Sequence, residues 1–180
     1  MPWPSTAQKC ELRADPRVDG DRIAALGFSQ GGIYSLLMAA YAPDIRAVVA
    51  YYPVTDFRAW FDTDRPWARR LVFDVIAWRF RQESGAPSDA EFEEMLSKGS
   101  AMTYVDALRA PILLVHGADD TSAPLEESRR LERALRDRSR DVELIVVPEA
   151  GHVFNFKDRD AAQRAWDATL SWLERHLSPR

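Results

Sequence analysis

At 180 residues, 46% of them hydrophobic, with a formal charge of −4, the chain has the make-up of one folded domain over residues 1–180 rather than a disordered or fibrous segment. The lack of a basic surplus argues against nucleic acid as a partner, and no apolar run approaches bilayer length, so no membrane span is expected. The N-terminus, MPWPSTAQKCELRADPRVDG, has no charged start followed by an apolar core, and a lone Cys10 cannot close an internal disulfide. A cytoplasmic location is the expectation, with Cys10 a structural or incidental residue.

STAQKCELRAD leaves room for a first helix. RIAALGFS, residues 22–29, then reads as a short buried strand, and GGIYSLLMAAYA behind it has the composition and length of a helix. The next strand is IRAVVAYYP, residues 45–53, stopped by a proline that cannot continue a ladder. Two buried strands joined by a helix make a parallel crossover. Residues 55–109 hold no convincing strand and are rich in aromatics (Trp60, Phe61, Trp67, Phe73, Trp78, Phe80) and arginines (Arg65, Arg69, Arg70, Arg79, Arg81). A structureless loop of that length is unusual, so the segment reads as a helical, cap-like insertion whose aromatics pack it onto the core.

The same grammar then returns. APILLVHGADD, residues 110–120, is a strand running into a glycine and two acids; PLEESRRLERALRDRS has the helical period with proline at its start. DVELIVVPEAGH, residues 141–152, is the last strand and its exit loop. The closing amphipathic helix places Ala162, Ala165, Trp166, Leu170 and Leu173 near one face. The fold class is α/β, with an open parallel sheet of about four strands flanked by helices.

In such a sheet, ligands bind beyond the carboxyl ends of the strands. Past the first strand end lies Ser29, past the third Asp119 and Asp120, past the fourth His152. A serine hydroxyl is a poor nucleophile unless a base activates it and a carboxylate orients that base, and here all three residue types share one edge. Gly27 and Gly31 read as the small neighbours that a sharp strand-to-helix turn at Ser29 requires. The helix behind Ser29 aims its dipole at any anion formed there, and the Gln30 amide is the natural first oxyanion donor. His116 reads as a strand-end residue with local hydrogen bonds, and His176 as a solvated residue on the closing helix. One cysteine and three scattered histidines offer no ligand-spaced metal cluster, and no cofactor is expected.

DPRVDGDRIAALGFSQGG, APILLVHGADDTSAP and VPEAGHVF resemble, in turn, the nucleophile-elbow segment, the H-G-x-x-D-x-x-V-P stretch and the histidine loop of α/β-hydrolases of the dienelactone hydrolase and prolyl oligopeptidase type. The resemblance spans residues 15–176, is faint in the insertion, and implies Ser29 as nucleophile and Asp120, three residues before Ala123 and Pro124, as the acid. Ala123 stands where the pattern has valine, a change in packing only. The dienelactone hydrolases proper carry cysteine as nucleophile, so their lactone substrate does not transfer.

The resemblance also implies several strands ahead of the nucleophile, one of whose loops supplies a second oxyanion donor. The chain has no room for them, which leaves that donor without a source and the edge of the first strand open. A truncated reading of a longer gene is the expectation, against a partner or second copy that covers the edge as a homo-oligomer, or a degenerate, non-catalytic binding protein. The expected function is a serine hydrolase that cleaves an ester or amide bond in a small molecule through an acyl-enzyme, with a serine peptidase acting on peptides as the alternative.

Overall fold

The computed structural model describes residues 15–61 and 88–178. Strands β1 (Ala24–Phe28), β2 (Ala47–Tyr51), β3 (Ile112–Gly117) and β4 (Val142–Val147) lie in that order in one sheet, every neighbouring pair parallel. This is the sheet the sequence leads one to expect. Among the described residues β1 pairs with β2 alone, so its other edge is unpaired. Strands β2 and β3 are buried along their whole length, which suits continuous apolar runs without a polar alternation.

Successive side chains of the strands divide between two cores. Val48, Ala50, Ile112 and Leu114 pack with helices α1 (Gln30–Tyr41) and α4 (Leu125–Arg136) through Leu36, Ala39, Leu131 and Leu135. Val49, Tyr51, Leu113 and Val115 meet helix α5 (Arg159–Leu177) through Ala161, Ala165 and Trp172. Each fully buried leucine contributes roughly 1.5–3 kcal/mol relative to exposure. Local signals agree with these placements: Asp158 caps α5 by accepting from the Asp160 and Ala161 amides, and α4 carries Glu126 and Glu127 in its first turn with Arg133 and Arg136 in its last. No described helix is long and apolar enough to cross a membrane.

Two expectations for α5 are corrected. Its buried stripe is Ala161, Ala165, Thr169 and Trp172, while Trp166 and Leu170 are exposed. The polar Thr169 belongs inside because its hydroxyl donates to Tyr51 Oη at 2.7 Å, the Tyr51 hydroxyl itself donating to the Ala165 carbonyl. Nor is His176 solvated: its side chain is 13% exposed and its ring lies 4.3 Å from that of Trp172.

Of the insertion, the described parts are helical: α2 (Phe57–Phe61), α3 (Asp89–Gly99), which opens on a Ser88/Glu91 capping box, and a 3-10 turn at Ala101–Tyr104. Residues 62–87, with Arg65, Trp67, Arg69, Arg70, Phe73, Trp78, Arg79, Phe80 and Arg81, lie outside the described residues, as do residues 1–14 with the N-terminal helix expected there and Cys10. Trp60 packs inward with Ile33, Leu37 and Ala123.

A buried carboxylate ties the root of this segment to α4. Glu127 is 3% exposed; its Oε2 accepts the Thr55 and Asp56 amides at 3.0 and 2.9 Å, and Arg130 reaches Oε1 at 3.0 Å. Burial pushes the carboxyl above its ordinary range, against the pull of those donors. The folded state therefore holds the Glu127 proton more readily than the unfolded chain, and stability declines as pH rises between the two values.

Glycines set how closely the strand ends approach their loops. A Cβ on Gly27 would sit 2.1 Å from the Gly31 carbonyl oxygen, and one on Gly117 would sit 2.2 Å from that of Ala150. A Cβ on Gly31 would meet nothing within 4 Å, so the expectation that Gly31 must be small is corrected. What matters there is its carbonyl, which fills the space beside Gly27.

In urea unfolding, Gly27→Ala and Gly117→Ala are each expected to lose about 3 kcal/mol through overpacking against backbone. Gly31→Ala should be neutral or gain about 0.5–1 kcal/mol as a helix substitution. By the same measurement Glu127→Ala, which strands two buried amides, should cost about 2 kcal/mol or more, whereas Glu127→Gln should keep the fold and lose the decline with rising pH.

Candidate active site

The chain leaves β1 at Phe28 and enters α1 at Gln30, and Ser29 makes the whole turn, with φ 51° and ψ −117°. That left-handed conformation in a residue with a Cβ costs on the order of 1–3 kcal/mol and is found where a side chain must be held in an unusual direction. Serine at such a position ordinarily caps its helix, but the Ser29 hydroxyl makes no capping bond. It lies instead 3.0 Å from His152 Nε2.

His152 comes from the loop after β4, brought near by the Gly117–Ala150 approach described above. Its Nδ1 is 2.7 Å from Asp120 Oδ2. An ionised carboxylate only accepts, so Nδ1 carries the hydrogen, and Nε2 is bare to accept from Ser29. Beneath it, Asp120 Oδ1 accepts the Ser122 and Ala123 amides at 2.8 and 2.9 Å. Burial by itself would raise the Asp120 carboxyl; the nearby His116 ring N–H and the hydrogen bonds from His152 and the Ala123 amide outweigh it and hold the group well below the usual carboxylate range. Its neighbour Asp119, which the strand-end reading left as an equal candidate, is exposed.

The structure thus gathers Ser29, Asp120 and His152 into one hydrogen-bonded line. Gln30 opens α1, and its amide belongs to the first turn, whose N–H groups have no intrahelical acceptor. Among the described residues there is no cluster of histidine, cysteine and acid side chains fit to hold a metal ion. A depression of about 680 Å³ lined by both acids and arginines, Asp19, Asp44, Arg46 and Arg109 among them, lies near the opposite ends of the strands and has no part in this line of residues.

Three contributors escape the sequence reading. Tyr52, directly after β2, has φ 39° and packs its ring edge-on to His152 at 4.7 Å. Burial pushes its hydroxyl far above the ordinary phenol range, so it remains protonated and donates to Asn155 Oδ1. Trp60 Nε1 donates to the Ser122 carbonyl at 2.9 Å, so the root of the insertion braces the loop that grips Asp120. Gly117 is the third. The H-G pair of the second motif stretch was a signal for it, though one whose steric purpose only the backbone approach explains.

The chain is similar to known proteins in sequence and in fold. A Yersinia pestis protein named as a carboxymethylenebutenolidase is 31% identical over 163 residues, which cover 88% of this chain and 48% of that protein. The acylamino-acid-releasing enzyme of Rattus norvegicus is 28% identical over 179 residues, 93% of this chain and 22% of its own length. The chain therefore spans about half the length of the first relative and about a fifth of the second. In fold it is similar to a puromycin-hydrolyzing peptidase of Mycobacterium tuberculosis, with a TM-score of 0.82 at 21% identity over 97% of this chain and 25% of that one. The sequence profile of the prolyl oligopeptidase family matches residues 9–180, and the chain belongs to that family of hydrolases.

Proposed function

We propose that the chain carries the catalytic machinery of a serine hydrolase that cleaves an ester or amide bond through an acyl-enzyme. The observation that carries this reading is the continuous line from Ser29 Oγ through His152 to Asp120, set beyond the carboxyl ends of three different strands. His152 Nε2 takes the hydroxyl proton as Ser29 Oγ bonds to the substrate carbonyl carbon, and Asp120 stabilises the imidazolium that results. The negative charge gathering on the carbonyl oxygen is met by the Gln30 amide and the positive end of α1. The leaving group departs with the proton from His152, and a water molecule, activated by the same ring, releases the acyl group.

The strained turn at Ser29 supports the assignment because its hydroxyl forgoes the helix cap and faces His152 instead. Relatives named for a carboxymethylenebutenolidase and for release of acylated amino acids support ester and amide substrates alike. We assign a small ester as the first substrate class and an N-acylated peptide as the second.

Hydrolysis of a short-chain nitrophenyl ester and of an N-acyl amino-acid anilide, each assayed with the parent chain and with folded Ser29→Ala, tests this. Turnover of either substrate that vanishes in the variant is expected; equal turnover in both proteins would overturn the role of Ser29. Asp120→Asn should lower kcat by about ten-thousandfold, the scale seen when a serine triad loses its carboxylate. Because the folded Asp120 value lies below the unfolded one, its ionised form contributes stability above the usual carboxylate range and loses it as pH falls; the Asn variant should show a shallower acid-side fall in Tm.

A further inference from the structure

His116 abuts the relay without a part in the reaction as written. It is fully buried in β3. Its Nε2 lies 2.8 Å from the Ala123 carbonyl oxygen and its Nδ1 lies 2.7 Å from Ser128 Oγ. A carbonyl only accepts, so Nε2 carries a hydrogen, and the Ser128 hydroxyl donates to Nδ1 of the singly protonated ring.

The same Nε2 stands 3.5 Å from Asp120 Oδ2, the oxygen that receives the hydrogen of His152 Nδ1. That separation is long for a full hydrogen bond. Neither side chain meets solvent, however, so the attraction between the N–H and the carboxylate is little screened. Ala123, the residue that His116 holds by its carbonyl, also grips Asp120 Oδ1 with its own N–H.

We propose that His116 is a positioning residue for Asp120, holding Ala123 by its carbonyl so that the Ala123 N–H stays on Oδ1 and lending a second, weaker donor to Oδ2, so that the carboxylate stays aligned and ionised beneath His152. This assignment rests on the serine-hydrolase reading. The other ionisable groups about Asp120 do not duplicate it. Tyr52, directly after β2, donates its hydroxyl hydrogen bond to Asn155 Oδ1; Glu127, on α4, is engaged by the Thr55 and Asp56 amides; Asp119 is exposed.

The test uses nuclear magnetic resonance of the folded chain labelled with 15N-histidine and with 13C at aspartate carboxyls. In the parent, the His116 nitrogen shifts should report hydrogen at Nε2 throughout the neutral range; a bare Nε2 with hydrogen on Nδ1 alone would overturn the proposal. In His116→Leu, Asp120 should take up a proton at higher pH than in the parent, and in His116→Gln, which returns an N–H near the same place, the onset should move back. A folded Leu variant whose Asp120 titrates as in the parent would also overturn it, and should that variant not fold, the parent ring shifts decide. Neither readout needs turnover, so a chain without ester or anilide hydrolysis would count against the serine-hydrolase reading while the spectra still judge His116. Where turnover is present, the acid limb of the kcat/KM profile should move to higher pH in the Leu variant and recover in the Gln variant.

Discussion

Two backbone approaches, each closer than a methyl group permits, determine where everything else in this site stands. At one, the Gly31 carbonyl lies where a side chain on Gly27 would be; at the other, the Ala150 carbonyl occupies that place beside Gly117. The first folds α1 back tightly onto β1, leaving Ser29 to take the left-handed turn and lift its hydroxyl away from the sheet. The second draws the loop after β4 against the end of β3, which sets His152 over Asp120. Parallel strands alone would leave these loops apart; it is the missing Cβ atoms that let chemically useful side chains converge.

Convergence also requires a buried carboxylate to remain charged. Asp120 is withdrawn from water, and an isolated carboxylate there would take a proton. Two amides on Oδ1, the His152 ring on Oδ2 and His116 beside it reverse that tendency. The loop that provides the amides is held in turn, by Trp60 through the Ser122 carbonyl and by His116 through that of Ala123. Glu127 then fixes the root of the insertion to α4. The insertion is thereby coupled to the acid of the relay through hydrogen bonds rather than through apolar packing alone.

The sheet, its parallel sense and the Ser29, Asp120 and His152 positions were legible in the sequence because each rests on a local pattern: an apolar run, a breaker, and a reactive residue just beyond it. Choosing Asp120 over Asp119 needed the family motif, since adjacent acids in a loop have no periodicity to separate them. The inward stripe of α5 was misjudged because Thr169 counts as polar until Tyr51, far away in sequence, is seen to bond it. His176 was misjudged for the same reason, its partner Trp172 being recognisable only once the helix face is known. Gly27 and Gly31 looked equally essential and Gly117 ordinary, whereas Gly27 and Gly117 are the two that meet backbone, because steric need depends on which backbone comes near. Tyr52, Trp60 and Glu127 act through contacts across loops, which no reading of neighbours along the chain reveals.

The central claim is that Ser29 is an activated nucleophile in this chain. Reaction of the purified protein with a fluorophosphonate, followed by intact mass and by mapping of the modified peptide, tests it most directly, since phosphonylation needs the activated hydroxyl and no knowledge of the substrate. One adduct is expected, carried on Ser29 and absent from folded Ser29→Ala. A folded parent chain that gains no adduct, or gains it equally in the variant, would contradict it.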